Sequence, residues 1–227
     1  MHKNSDMTSD ITFRNELLRK GIHLSSLAIP AIYTGVDQAL AIALLAPLAV
    51  VSVVVDILSH TSPAVGKIIG MLFGHLLRPH ELRNDKILLN GASYVLISAL
   101  LCVVIFPKIV MITAFSVLIV SDTAAALFGR RFGRHTFFDK SLEGAIAFTI
   151  SAVGVVCVIG LLSGCPAGFY AAGIAAGAAG AVVEAASIRL RFDDNLSIPL
   201  SVGTTLLLGD AVFVQYFGAA SFADALP

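Results

Sequence analysis

The chain has 227 residues, of which 57% are hydrophobic and 13% are charged, and it contains no tryptophan. Its formal net charge is zero, which gives no support for a nucleic-acid partner. Several apolar runs reach the length that a helix needs to cross a bilayer, so the sequence predicts an integral membrane protein surrounded by lipid.

The apolar runs predict an all-α fold, a polytopic bundle of transmembrane helices. In chain order there are about seven predicted spans, at 22–35, 39–58, 91–106, 109–128, 142–163, 168–188 and 196–217. The first is short for a crossing. The apolar stretch 65–77 is too short and too interrupted to span, and it predicts an interfacial or re-entrant helix.

Domain organisation follows from the same pattern. Connections are short, and neither a Pro-rich or Ser-rich linker nor an internal repeat divides the chain. We therefore predict an N-terminal segment at 1–21 and a single membrane-embedded domain at 22–227. Within the sixth span, Gly173 and Gly177 lie one helical turn apart, which predicts the close approach of a neighbouring helix.

Basic residues orient the predicted spans. With a cytoplasmic N-terminus, seven crossings leave four segments on the inner side, at 1–21, 59–90, 129–141 and 189–195. Of the 15 Lys and Arg residues, all except Lys108 fall in these segments, which is the bias that orients helical membrane proteins. The sequence thus predicts a multi-pass protein with its charged loops on the cytoplasmic face.

Acidic side chains lie in or at the ends of apolar spans, where an ionised group is costly and marks a functional site by default. Four of them fall at the predicted cytoplasmic face: Asp56, Asp122, Glu143 and Glu184. The last inner loop adds three polar residues: Asp193, Asp194 and Asn195. The same face carries most of the cations: Arg19, Lys20, Arg130, Arg131, Arg134, Lys140, Arg189 and Arg191. Carboxylates for a metal and basic groups for phosphates are what a magnesium nucleotide requires.

The inner loop with the highest charge lies in "SDTAAALFGRRFGRHTFFDKSLEG" at 121–144. Gly129 and Gly133 would let the backbone approach a phosphate, and Ser141 could cap the next helix, whose N-terminus faces the same anion. Taken singly, basic residues at this depth are also the ordinary signal for topology. The sequence has no Walker A motif and no nucleotide-binding GxGxxG, so any phosphoryl transfer would use a membrane-embedded site.

Three stretches in this order resemble the polyprenol kinase family, which includes dolichol kinases, phytol kinases and CTP-dependent diacylglycerol kinases. They are "LLRKGIHL", "SDTAAALFGRRFG" with "DKSLEG", and "VEAASIRLRFDDNLSIPL". The resemblance extends from position 19 to the last span. It implies transfer of the terminal phosphate of CTP, or of another nucleoside triphosphate, to the hydroxyl of a membrane lipid alcohol, with Mg²⁺.

The resemblance also implies roles for individual residues. The expected catalytic residues are Asp122, Lys140, Glu143, Asp194 and Asn195. The expected metal ligands are Asp122, Glu184 and Asp194. The expected nucleotide-binding residues from the resemblance are Arg19, Lys20, Gly129 and Gly144, and the basic loop itself adds Arg130, Gly133 and Arg134. These positions do not distinguish phytol, a longer polyprenol and diacylglycerol as the acceptor, or CTP from ATP as the donor.

Two alternatives stay open. The middle motif is also similar to that of phosphatidate cytidylyltransferases, which make CDP-diacylglycerol, but the His, Gly and Asp ending of those enzymes does not appear in this sequence. A small ion-coupled transporter would need acids spread through the depth of the membrane. Asp210, toward the outer half of the last span, is the acid that fits that pattern.

Overall fold

The chain folds into helices and one short hairpin. The computed structural model describes residues 13–73, 89–190 and 192–226. In these ranges the helices are α1 Phe13–Ser25, α2 Ala28–Tyr33, α3 Gln38–Thr61, α4 Pro63–Phe73, α5 Gly91–Ile105, α6 Lys108–Phe132, α7 Leu142–Ser163, α8 Ala167–Ala185, α9 Ser187–Leu190 and α10 Asp194–Phe217. Strands β1 Thr136–Phe137 and β2 Lys140–Ser141 pair in an antiparallel manner between α6 and α7.

Five helices are long and apolar enough to cross a membrane: α3, α6, α7, α8 and α10. Helix α5 is apolar but has only 15 residues. These helices confirm the prediction of an all-α, multi-pass membrane protein. Helix α6 lies at the centre of the bundle, since 83% of its most apolar window is buried, whereas that share is between 22% and 50% for the other four.

Side-chain caps define the starts of several helices. Asp37 accepts a hydrogen bond from the Leu40 backbone N–H at 2.7 Å, Asn90 caps α5 through Ser93, and Asp193 caps α10. Ser141 caps α7 by accepting from the Gly144 N–H at 3.1 Å, as the sequence predicted. Each cap satisfies a backbone donor that the first turn of a helix leaves without a partner.

The glycines of α8 bring it against α7. A Cβ atom at Gly173 would lie 2.4 Å from a methyl carbon of Val156, and a Cβ at Gly177 would lie 3.0 Å from the Cβ of Ala152. The two backbones therefore approach more closely than larger side chains would allow, and the predicted packing role of this glycine pair is confirmed.

The region predicted as one short span at 22–35 is divided. Helix α1 begins earlier, at Phe13, and ends at Ser25, and α2 starts at Ala28 after a turn. Pro30 has no N–H to donate to the Ser26 carbonyl, and that carbonyl instead accepts from Ile29 at 3.0 Å. The missing donor favours the turn.

The helix predicted at 65–77 is present as α4, Pro63–Phe73, and residues 74–77 lie outside the described ranges. Helix α4 follows α3 after a single residue, Ser62, whose carbonyl accepts from the Gly66 N–H at 2.9 Å. The greater part of the predicted inner loop 59–90 also lies outside what the structure describes.

Candidate functional site

Asp122 is buried on α6 and pairs with a lysine from the start of the chain. The Lys20 ammonium, on α1, forms an ion pair with the Asp122 carboxylate, and its Nζ lies 3.4 Å from the Asp122 carbonyl oxygen. Both side chains are about nine-tenths buried, at 8% and 10% exposure. His23, one turn further along α1, places its Nε2 atom 3.6 Å from the same carboxylate. A lysine charge at this depth is tolerated because it is paired.

Lys140 makes a second ion-paired group. Its Nζ atom lies 2.6 Å from Glu184 Oε1 on α8 and 3.0 Å from Asp194 Oδ2 on α10. Burial alone would lower the pKa of Lys140, but the carboxylates of Asp194 and Glu184 outweigh burial, and the pKa is raised above its ordinary value of 10.5. Lys140 therefore carries its charge at neutral pH.

The two ion-paired groups are neighbours. The Asp122 carboxylate lies close enough to Lys140 and Glu184 for direct electrostatic interaction. We call the five ionised side chains the charged cluster: Lys20, Asp122, Lys140, Glu184 and Asp194. They come from α1, α6, the hairpin, α8 and α10, so five separate elements deliver one charged side chain each.

The hairpin holds Lys140 against α8. Phe138 turns the chain between β1 and β2 with a φ of 53°. Asp139 then donates its N–H to the Ala185 carbonyl at 3.0 Å, and its carboxylate accepts from the backbone N–H and the Nε of Arg189 at 3.0 and 2.9 Å. These bonds fix the residue before Lys140 to the end of α8 and the start of α9.

Three glycines in this region permit close packing between α6 and the start of α7. A Cβ atom at Gly129 would lie 2.9 Å from the Ser141 hydroxyl, and one at Gly133 would lie 2.9 Å from the Ser141 Cβ. A Cβ at Gly144 would lie 3.1 Å from the Ala125 carbonyl. The close approach that these glycines permit is between parts of the protein itself, and the expected approach to a phosphate stays a prediction.

Glu143 points back to the loop that precedes it. Its carboxylate accepts from the backbone N–H groups of Arg134 and His135 at 3.0 and 3.3 Å, and it pairs with the His135 ring at 2.8 Å. Arg130 and Arg134 are exposed beside this loop. The hydrogen bonds of Glu143 therefore organise the basic loop, outside the charged cluster.

Asn195 lies at the start of α10, next to Asp194. Its backbone N–H and its side-chain amide both donate to Asp193, at 3.0 and 2.8 Å. A Cβ atom at Gly91 would lie 4.0 Å from the Asn195 amide nitrogen, so the first residue of α5 adjoins this amide.

Asp56 differs from the acids of the charged cluster because neutral groups satisfy it. Its carboxylate accepts from the Asn90 N–H at 2.9 Å, the Asn90 amide at 2.5 Å and the Ser93 hydroxyl at 2.6 Å. Only 3% of the residue is exposed. Asp56 thus holds the start of α5 against α3.

Asp210, in the C-terminal half of α10, has an environment similar to that of Asp56. It accepts from the Ser221 hydroxyl and from the Phe222 N–H, both at 2.8 Å. Phe222 is buried and packs edge to face on Phe169. Asp210 therefore anchors the segment after α10, an arrangement that gives it a structural role and weakens the case for a transport path.

The carboxylates of the charged cluster are ligands of the kind that Mg²⁺ prefers, but the protein side chains do not by themselves form a complete metal site. Within 13–73, 89–190 and 192–226, no three His, Cys, Asp or Glu side chains come together as a metal site. Mg²⁺ commonly takes one or two carboxylates and completes its shell with phosphate and water. The charged cluster fits a metal ion that arrives with a phosphate ligand.

Sequence reasoning missed His23 and the Asp139–Arg189 pair. The position of His23, three residues after Lys20, could have indicated that the two share a face of α1. Nothing in the spacing of Asp139 and Arg189, which lie 50 residues apart, indicates that they meet.

Comparison with known proteins places the chain in a family. It is 31% identical over 194 residues to Uncharacterized protein RP860 of Rickettsia prowazekii (strain Madrid E), an alignment that covers 86% of this chain and 93% of the relative. The chain belongs to the same family as that protein. No family model matches the chain. No solved structure matches it. Since the name of the relative states no activity, the proposal of a function depends on the site.

Proposed function

We propose that the protein is a membrane lipid-alcohol kinase that transfers the γ-phosphate of CTP, or of another nucleoside triphosphate, to the hydroxyl of an isoprenoid alcohol or of diacylglycerol. One observation carries the proposal. Residues from the three stretches that resemble polyprenol kinases, far apart in the chain, meet in the charged cluster. Residues that take part in one reaction are expected to come together in the folded chain in this way.

The proposed topology has seven crossings, with α1 and α2 together forming the first and α5 the third. The charged cluster then lies at the cytoplasmic end of the bundle, because the Lys and Arg residues concentrate on that side. Cytosolic nucleotide would reach it directly.

Phosphate binding would use the basic groups at and around the cluster. Lys140 shares its charge between two carboxylates, and a triphosphate would compete for it. Arg130 and Arg134 are exposed on the adjoining loop, and Arg19 and Lys20 approach from α1. When bound with the nucleotide, Mg²⁺ would take one or two of the expected ligands Asp122, Glu184 and Asp194, complete its shell with phosphate oxygens and water, and neutralise part of the phosphate charge.

The transfer itself requires mainly position and charge stabilisation, because its transition state is loose. Asp194 and Asn195 would orient the acceptor hydroxyl. The hydroxyl oxygen forms a bond to the γ-phosphorus, the bond from that phosphorus to the bridging oxygen breaks, and CDP leaves. The hydroxyl proton passes to a carboxylate of the cluster or to water.

The lipid would reach the cluster from the membrane. Leu18 and Ile22 lie one turn apart on the lipid-facing side of α1, with exposures of 53% and 56%, while Lys20 points inward. Phe128 and Phe132 are exposed on the last turns of α6. An acyl or isoprenoid tail can pack on these apolar side chains while its hydroxyl lies at headgroup level.

A matrix of labelled nucleotides against lipid alcohols tests the function. We expect label from γ-phosphate-labelled CTP to appear on the lipid, with release of CDP. The cytidylyltransferase alternative predicts attack at the α-phosphorus, release of pyrophosphate and a CMP unit on phosphatidic acid. That second result, or the absence of transfer with every donor and acceptor, would contradict the kinase proposal.

Single-cysteine labelling tests the side of the membrane. The ring of His135 is 74% exposed, so a cysteine at this position in a Cys-free background should react with a reagent added to the cytoplasmic side. Labelling from the other side alone would overturn the proposed location of the site.

A further inference from the structure

A cavity lies at the end of the bundle opposite the charged cluster. It has a volume of about 350 Å³ and is formed where α3 and α6 begin, where α5 ends and where the segment after α10 folds back. Its polar lining residues are Tyr33, Asp37, Gln38, Lys108 and Asp224. Lys108 is at the start of α6 and Asp122 is 14 residues later, so the two ends are separated by about 21 Å along the helix.

The cavity holds one cation without a carboxylate partner. In the part of the chain that the structure describes, no carboxylate lies within 4.0 Å of the Lys108 ammonium. Its nearest recorded interaction is with the ring of Tyr33, whose centroid is 5.5 Å away. Tyr33 is 97% buried, since only 3% is exposed, and among the described residues its hydroxyl makes no hydrogen bond. A donor and a positive charge thus remain available for an anionic group.

Two carboxylates border the same cavity. Asp37 and Asp224 are exposed, and neither is paired with Lys108. These acids would repel a ligand that carried only negative charge. Lys108 would repel a ligand that carried only positive charge. A zwitterion complements both, with its anion on Lys108 and its cation on the carboxylates.

The surface next to the cavity is apolar and exposed. Leu40, Leu44 and Leu48 follow one another at intervals of one turn along α3 from just beyond Gln38, with exposures of 47%, 50% and 55%. Side chains four residues apart form a continuous stripe on a helix. A ligand with its headgroup in the cavity would extend its acyl chains along this stripe.

We propose that the cavity binds the headgroup of a zwitterionic phospholipid whose cation is a primary ammonium, as in phosphatidylethanolamine. Lys108 and Tyr33 contact the phosphate, and Asp37 and Asp224 accept hydrogen bonds from the ammonium. The site is separate from the proposed kinase site and does not depend on that function.

Lipid titration of the full chain in detergent, read by native mass spectrometry, tests the proposal. We expect phosphatidylethanolamine to bind at least about tenfold more tightly than phosphatidylglycerol, which has no ammonium, because charge-assisted hydrogen bonds of this kind reach that scale. Lys108→Gln should weaken phosphatidylethanolamine binding by about the same factor. Lys67→Gln, which removes the same charge from the exposed side of α4, should leave it unchanged.

Asp224→Asn provides a second variant, at an exposed position outside the helices, and it should reduce the preference for phosphatidylethanolamine over phosphatidylglycerol. Equal binding of the two lipids to the natural chain would overturn the proposal, and so would an equal effect of Lys108→Gln and Lys67→Gln. Soluble phosphoethanolamine that bound as tightly as the lipid would overturn the role of the acyl chains.

Discussion

Four buried acids in the described part of the chain fall into two pairs with different partners. Asp122 and Glu184 each meet a lysine from a distant segment, whereas Asp56 and Asp210 accept hydrogen bonds from backbone N–H groups, an amide and hydroxyls. All four are less than 10% exposed. The neutral donors around Asp56 and Asp210 hold the start of a helix or a chain segment in position. They carry no charge that could interact with a substrate. We therefore expect a buried acid in a membrane helix to mark a functional site chiefly where a lysine accompanies it.

The largest expected effect is that of Asp122→Asn. The amide keeps the shape of the side chain but removes the charge that Lys20 and a metal ion would use, so turnover should fall by at least about 100-fold. Transfer of labelled phosphate to lipid measures it, with membrane insertion checked on the same preparation. Activity close to that of the natural chain across magnesium concentrations would show that Asp122 does not serve the reaction.

Lys140→Met should have the next largest effect. It removes the proposed phosphate-binding group and leaves Glu184 and Asp194 without their shared cation, so we expect turnover to fall by about 10-fold to 100-fold and the free energy of unfolding to fall by about 1–3 kcal/mol. Adding Glu184→Gln should recover part of the lost stability but none of the activity. Independent effects of the two changes on stability would contradict the ion pair.

The pH dependence of this stability difference has a defined sign. Because the pKa of Lys140 is raised in the folded protein, its contribution is fully present below the ordinary value of 10.5 and is lost as the pH rises through the raised value. Thermal unfolding of the natural chain and of Lys140→Met should therefore differ by the same amount at about pH 7 and about pH 9. A difference that vanished in this interval would mean that Lys140 is neutral there.

Asp56→Asn should lower turnover only a few-fold. Asp56 holds the start of α5, which adjoins Asn195, and so its effect on the site is indirect. The substitution should mainly lower stability by about 1–2 kcal/mol, since one acceptor is replaced by a donor that faces other donors. A change in KM would indicate a displaced Asn195, because a loss of folded protein lowers the apparent kcat and leaves KM unchanged. If Asp56→Asn lost as much turnover as Asp122→Asn, the distinction between acids paired with lysine and acids bound by neutral donors would not hold.

Asp210→Asn should leave turnover unchanged. One of its two hydrogen bonds is lost, so the expected decrease in the free energy of unfolding is about 1 kcal/mol. Phosphate transfer and thermal unfolding of the same sample measure both effects. A large loss of phosphate transfer would contradict the structural role that these two hydrogen bonds give Asp210.

Sequence reasoning was sufficient for the long helices because hydropathy and length determine them. The predicted span 142–163 coincides with α7, and 39–58 lies within α3. It failed at 22–35, where one proline and a competing turn divide a run whose composition is mostly apolar. Local pattern predicts that a segment is helical more securely than it predicts where the helix is interrupted.

The members of the charged cluster were all predicted, but their pairing was not. The cost of burying charge identified Asp122 and Glu184, the inner loops identified Lys140 and Asp194, and the resemblance to polyprenol kinases identified Lys20. Which lysine meets which acid depends on helix packing between segments far apart in the chain. The same reason explains why Asp56 could not be separated from Asp122 in the sequence: the donors of Asp56 lie 34 and 37 residues later.

The ion pairs of the charged cluster have a consequence for synthesis. Asp122 follows Lys20 by 102 residues, and Glu184 and Asp194 follow Lys140 by 44 and 54. In each case the ribosome makes the lysine first, and the partner acid enters the membrane only with a later helix. An unpaired lysine is held at the membrane surface by the cost of burying its charge. We therefore expect α1 to dock after α6 has been inserted and the hairpin to dock after α8 and α10, so that the site is assembled last.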